Sequence, residues 1–238
     1  MIALFTDFGP EGPYAGQMQA VLAAEAPGVP VISLMHDAPA FNARASAYLL
    51  AALITPFPAS TVFACVVDPG VGSDRKPLLL KADGRWFIGP DNGLLAVVAR
   101  LASNAEWHEI LWRPKHLSNS FHGRDLFAPV AAMLARGELP GTRPCTPSVG
   151  ADWPDDPAEV IYIDRYGNAM TGMRAACLDD TAVLRIGDAR IAYARTFAEA
   201  GPGACFWYEN AMGLVEIAAN RASAATLLEL DIGTGFAF

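Results

Sequence analysis

The hexapeptide Ser120-Phe121-His122-Gly123-Arg124-Asp125 stands directly ahead of the apolar run LFAPVAAMLARG. A helix start needs one cap, and Ser120 or Asp125 can supply it. The His and the Arg beside them are surplus to that need, and they belong to the side chains that move protons and hold charge. Three further polar clusters follow apolar runs: Thr6-Asp7-Phe8-Gly9, Asp68-Pro69-Gly70-Val71-Gly72 and Gly89-Pro90-Asp91-Asn92-Gly93. Each alone is what a turn requires. Ligands of open α/β sheets bind outside the carboxyl ends of strands, so clusters repeated at those ends point to a site.

The elements that must position these residues alternate in type. IALFTD, VPVISLM and STVFACVVD read as short buried strands, and YAGQMQAVLAAEAP and ARASAYLLAALI between them read as helices stopped before prolines. KPLLLKADGRWFIG predicts a hairpin turning at Asp83-Gly84. GLLAVVARLA predicts a helix, AEWHEILW a strand, and RDLFAPVAAMLARG a helix ending at Gly137. This pattern predicts an α/β domain with a largely parallel sheet over 1–138. The proline-rich stretch 139–157 is expected to be a linker. Residues 158–238 hold short strands separated by Gly, Asp and Asn turns, the pattern of a small all-β, barrel-like domain.

Composition removes several classes of function. The formal charge is −8 with no Lys/Arg cluster, which disfavours a nucleic-acid surface. Although 53% of residues are hydrophobic, no apolar run is long enough to span a membrane, and AYLLAALITPFPAS is cut by Pro56 and Pro58. The N-terminus has neither the basic region nor the apolar stretch of a signal peptide, so a cytoplasmic location is expected. Cys65, Cys145, Cys177 and Cys205 form no C-x-x-C pair and are expected to be buried thiols. No Walker loop, complete dinucleotide loop, zincin helix or Gly-x-Ser-x-Gly elbow occurs. His108 and His116 read as surface or satisfied residues, while His36 is open to either role.

Six stretches occur in order: TDFG…YAGQMQAV, VVDPGVGSDR, FIGPDNGLL, SFHGRDLFAPVAAMLARG, IDRYGNAMTGM and ENAMGLVEIAANRASAA. Together they resemble the S-adenosyl-L-methionine (SAM) hydrolase family, the SAM hydroxide adenosyltransferases, which are related to fluorinase and chlorinase. The resemblance covers both expected domains. It implies hydrolysis of SAM to adenosine and L-methionine by water or hydroxide attacking the ribose C5′, with no metal and no cofactor. It also implies a homotrimer whose sites lie between one subunit's N-terminal domain and its neighbour's C-terminal domain.

By the same resemblance, the water-activating trio falls on Asp68, Arg75 and His122. Asp7 would hold the ribose hydroxyls, a charge-assisted clamp. Phe41 would line the adenine and ribose pocket. Asp164, Tyr166 and Asn168 match the stretch that contacts methionine and adenine. Asn210, Glu216 and the backbone near Ala222 complete the expected substrate contacts.

The chain departs from the family pattern twice. Gly12 stands where a second acid is usual, with Glu11 adjacent, and Ala211 replaces a hydroxyl residue after Asn210. Two other functions remain as alternatives. A SAM-dependent halogenase is disfavoured because Asp68 beside the nucleophile position repels an anion. A non-catalytic SAM or adenosine binder would have no use for the trio.

Overall fold

The computed structural model describes all 238 residues, which divide into two compact units, Met1–Asp152 and Trp153–Phe238. The first unit runs β1 (Ile2–Thr6), α1 (Tyr14–Glu25), β2 (Val31–Met35), α2 (Ala43–Leu53), β3 (Val62–Val66), β4 (Pro77–Ala82), β5 (Arg85–Pro90), α3 (Ala96–Leu101), β6 (Ala105–Ile110), α4 (Ala128–Ala135) and β7 (Thr142–Pro144). Its seven strands form one sheet in the order β2-β1-β3-β5-β4-β6-β7. The β2-β1-β3-β5 half is parallel, and the predicted hairpin β4-β5 starts the antiparallel half.

Burial explains why the parallel half forms. Every residue of β1 and β3 is buried, as strands covered on both faces require. Side-chain alternation puts Ile2, Leu4, Val62 and Ala64 on one face, packed with Met18 and Leu22 of α1 and Val130 and Leu134 of α4. Phe63 and Phe87 stack at 4.7 Å between centroids on adjacent parallel strands. Asn42 starts α2 by accepting from the Ala45 amide at 3.0 Å, the capping role for which Asn is suited.

Parallel pairing also sets the site's location. β1 and β3 run in register with Thr6 opposite Val66, so Asp7 and Asp68 leave the sheet at the same edge. The segment 118–122 reaches that edge through Gly72. Its φ is +82°, and a Cβ there would lie 2.5 Å from the Asn119 carbonyl oxygen. Only glycine allows both that backbone and that approach.

The predicted helix after His122 starts differently from expectation. Gly123–Phe127 forms one π-helical turn before α4 begins. Such single π turns are frequent at functional sites. The expected linker also contributes structure: Thr142–Pro144 pairs with β6 as an edge strand, and Ser148 is held by Asp91 through amide and hydroxyl at 2.9 and 2.8 Å. The cysteines follow the expectation of burial only at Cys65; Cys145 and Cys205 are half-buried and Cys177 is exposed.

The second unit contains β8 (Val160–Ile163), β9 (Ala169–Arg174), β10 (Val183–Ile186), β11 (Ala189–Ala192), β12 (Cys205–Glu209), β13 (Leu214–Ala219) and a short α5 (Ala224–Leu227). An antiparallel sheet β12-β13-β9-β8 packs with the hairpin β10-β11. Trp207 is buried between them, donating its indole N–H to Ala182 at 2.9 Å. Glu159–Gly235 and Arg185–Ala237 bridges tie the last residues to this frame. No helix in either unit is long and apolar enough to cross a membrane.

Candidate functional site

At the shared edge of β1 and β3, Asp7, Asp68, His122 and Phe41 line one cavity of about 360 Å³. Its wall is aromatic. Phe8, Tyr14 and Phe121 form a mutual cluster with centroids 5.1–5.8 Å apart. Gly123 lets the π turn seat on that wall, because a Cβ would come within 3.2–3.3 Å of Met18, Phe121 and Phe8.

Arg75 organises the polar end. Its Nε donates to Asp68 Oδ1 at 2.8 Å and its second nitrogen donates to Asp68 Oδ2, a two-pronged ion pair. The same nitrogen donates to His122 Nδ1 at 2.9 Å. The guanidinium also lies over the Phe127 ring, with its carbon 5.3 Å from the centroid. The side chains of Arg75 and Asp68 are only 9% and 4% exposed, so the pair is held in a low-dielectric setting.

That geometry fixes the imidazole. An Arg can only donate, so Nδ1 of His122 must accept, and in the neutral ring the proton sits on Nε2. Burial pushes the His122 pKa below its ordinary 6.5, and the Arg75 charge lowers it further, outweighing the opposing pull of Asp68. Arg75 itself does not line the Asp7 cavity. It faces a neighbouring recess together with Ser73, Lys76, Arg113 and the other side of His122.

Asp7 and Phe41 are coupled. Asp7 Oδ2 accepts from the Phe41 amide at 3.1 Å, and Phe41 holds a left-handed backbone with φ +59° while its ring is 78% exposed. Strained backbone of this kind clusters at ligand sites. Burial raises the Asp7 pKa, with the Phe41 amide pulling the other way. Glu11 is exposed and does not line the cavity, so it stands apart from the position left by Gly12.

The remaining polar residues of these motifs brace the fold. Arg124 grips Asp125 through two nitrogens, donates to Gln17 at 2.9 Å and covers Phe121, while Asp125 accepts from the Ser118 amide. Asn92 ties back to the Val67 carbonyl and Asp91 holds residue 148, so the GPDNG cluster is structural. His36 is satisfied by Thr6 and Ser33, which answers its open role.

The second unit has its own cavity, about 640 Å³, and it gathers all six expected residues of that unit: Asp164, Tyr166, Asn168, Asn210, Glu216 and Ala222. Pleating explains the convergence. Tyr208 pairs with Glu216 across β12-β13, and Glu216 pairs with Met170 across β13-β9, so all three share one sheet face. Glu216 is 3% exposed and accepts from the Tyr208 hydroxyl at 2.6 Å and Asn210 Nδ2 at 2.8 Å. Burial nevertheless raises its pKa.

Asp164 shapes the β8-β9 turn. It accepts from the amides of Tyr166 and Asn168 and from Asn168 Nδ2. The turn presents the Tyr166 ring 71% exposed at the cavity. The sequence did not single out Tyr14, Phe121, Tyr208, Phe197 or Arg221 as lining residues. Tyr14, Phe121 and Arg221 lie inside the quoted motifs, the one signal that could have found them, whereas Tyr208 and Phe197 do not. In neither unit do three or more His, Cys, Asp or Glu side chains group as metal ligands would.

A sheet-edge cavity lined by two carboxylates, Asp7 and Asp68, and by an imidazole held by an arginine fits a class: an enzyme site that directs water, or another small nucleophile, at a bound molecule. Comparison with known proteins narrows it. Residues 2–142 match the SAM hydroxide adenosyltransferase N-terminal domain and residues 158–236 the matching C-terminal domain. The chain belongs to the SAM hydroxide adenosyltransferase family. It is 36% identical to the (R)-S-adenosyl-L-methionine hydrolase of Thermus thermophilus over 98% of this chain and 96% of the relative. The enzyme of the same name from Salinispora arenicola is also 36% identical, over 98% and 95%. The crystal structure of an uncharacterized conserved protein from Thermotoga maritima superposes with a TM-score of 0.89 at 32% identity, covering 99% of this chain and 98% of the other.

The charge of Arg75 has a consequence that can be read directly. In Arg75→Gln the positive charge disappears and the Asp68 carboxylate is released toward the ring, so the His122 pKa should rise. NMR titration of the histidine ring protons would show it; an unchanged His122 would mean that Arg75 does not set its protonation.

Proposed function

We propose that this protein hydrolyses SAM to adenosine and L-methionine by direct attack of water on the ribose C5′. The observation that carries the reading is the shared cavity of Asp7, Asp68 and His122, with Arg75 behind it, in a chain of this family. A sulfonium leaves as a neutral thioether, so no acid, metal or redox cofactor is called on. What the reaction lacks is a placed, partly desolvated nucleophile. The neutral His122 points Nε2–H at the water oxygen, and Asp68, an acceptor only, takes the proton as the new C–O bond forms and the C–S bond electrons pass to sulfur. Arg75 acts through both partners, fixing their orientation. Asp7 clamps the ribose hydroxyls, and Phe41 stands beside the sugar and base.

Tyr166, Asn168, Asn210, Glu216 and the Ala222 backbone hold the base and amino-acid parts of the substrate, with Asp164 shaping their turn. The proposal includes a homotrimer in which one protomer's first unit and its neighbour's second unit contribute to each site, and a cytoplasmic location.

Purified protein with SAM should yield adenosine and methionine by chromatography, unaffected by chelator, and chloride should yield no 5′-chloro-5′-deoxyadenosine. Asp68→Ala and His122→Ala should each lower kcat by roughly 10²-fold or more, the usual scale for positioned acid–base groups. Because His122 works neutral and its pKa is depressed, activity should persist at pH 6.5 and fall only below it. Halogenated product, or wild-type kcat in both variants, contradicts the reading.

The shared-site proposal has its own test. Mixing inactive Asp68→Ala and Asn168→Ala chains under conditions of subunit exchange should restore part of the activity. No recovery despite exchange would mean that each site is built within one chain.

A further inference from the structure

His122 stands at the start of a helix whose first turn is out of the regular register. The Ala128 amide donates five residues back, to the Gly123 carbonyl, and so closes the π turn Gly123–Phe127. The Asp125 amide donates four residues back, to Phe121, at 3.2 Å. A π turn holds one residue more than an α turn, and one residue of helix is about 100° of rotation. Without the extra residue His122 would swing by about that angle, off the Arg75 nitrogen that it meets at 2.9 Å.

One side chain secures this turn. Arg124 reaches its immediate neighbour Asp125 with Nε at 2.6 Å and Nη2 at 3.0 Å, and its Nη1 donates to Gln17 Oε1 of α1 at 2.9 Å. Consecutive residues of an α-helix do not face each other, so the forked pair fits the irregular turn and not a regular helix. The guanidinium carbon also lies 5.1 Å from the centroid of Phe121, and Asp125 Oδ2 accepts from the Ser118 amide at 2.9 Å. Arg124 thus ties together the loop before His122, the turn after it, and α1. They close around Gly123, where a Cβ would come within 3.2 Å of Met18 and Phe121.

We propose that Arg124 is a positioning residue: through Asp125 and Gln17 it holds the π turn, and through the turn it keeps His122 on Arg75. The inference rests on the reading of His122 as a group that directs water. The two arginines then divide the work. Arg75 bonds the imidazole itself, and Arg124 fixes the backbone that carries it. Arg124 does not line the Asp7 cavity, so its loss falls on the placement of His122 and on kcat more than on KM.

The charges around the imidazole distinguish displacement from plain electrostatics. Burial and Arg75 depress the His122 pKa most, Asp68 opposes them, Arg113 lowers it, and Asp125 raises it with the weakest effect. In the double variant Arg124→Gln, Asp125→Asn, loss of the Asp125 charge alone would lower the His122 pKa. A ring that leaves its seat on Arg75 would instead rise toward 6.5. NMR titration of the ring protons should show the rise. With SAM, kcat should fall by about 10- to 100-fold, the scale of an ångström of misplacement, with a smaller change in KM. Arg124→Lys, which keeps the charge but not the fork, should keep part of the kcat. A merely structural clamp would lower the thermal midpoint and leave both the titration and kcat, measured well below that midpoint, as in the wild type. That result, or a fall in the His122 pKa, overturns the proposal. If the double variant does not fold, Gln17→Ala decides: it cuts only the tether to α1, and it should move both readouts the same way by less. No movement there overturns the proposal too. A wild type that leaves SAM intact would fail the SAM reading, and the NMR arm would still decide the role of Arg124.

Discussion

The buried pairing of Arg75 with Asp68 is the constraint on which the rest of the first unit depends. Two charges taken out of water are tolerated only when their hydrogen bonds are complete, and here one guanidinium serves both carboxylate oxygens and the imidazole. Removing any one of the three leaves a buried charge or an unpaired nitrogen. The surrounding structure supplies the low dielectric and the geometry. Phe127 covers the guanidinium, parallel β1 and β3 bring Asp7 to the same edge as Asp68, and Gly72 lets the loop before His122 close on the Asp68 loop. The imidazole is held with Nδ1 accepting from Arg75 as a result.

The second unit follows another logic. Its cavity is built on one face of an antiparallel sheet, and its acids are satisfied internally by Tyr208, Asn210 and the 164–168 turn. No histidine lines it. The two cavities therefore belong to different units of the chain, each with its own core.

Much of this was legible in the sequence. The strands and helices of the first unit follow from apolar runs broken by proline and glycine, and the expected site residues fall in two cavities as the motif order implies. Arg75 is the exception, set behind the cavity wall, because a sequence motif does not say which side of a loop a long side chain takes. GPDNG reads as one more ligand cluster but braces residue 148 and Val67, since turn chemistry and ligand chemistry use the same residue types. Prolines made 139–157 read as linker, yet edge strands tolerate proline, and Pro144 lies in one. The contacts among Phe8, Tyr14 and Phe121 arise from tertiary packing, so the motifs contain these residues without announcing that they form one wall.

The central claim is that a water molecule held by Asp68 and His122 attacks C5′ directly. Turnover of SAM in ¹⁸O-labelled water, followed by mass spectrometry of both products, tests it most directly. The account predicts one labelled oxygen in adenosine, at the 5′ position, and none in methionine. Label in methionine, or unlabelled adenosine, would contradict it.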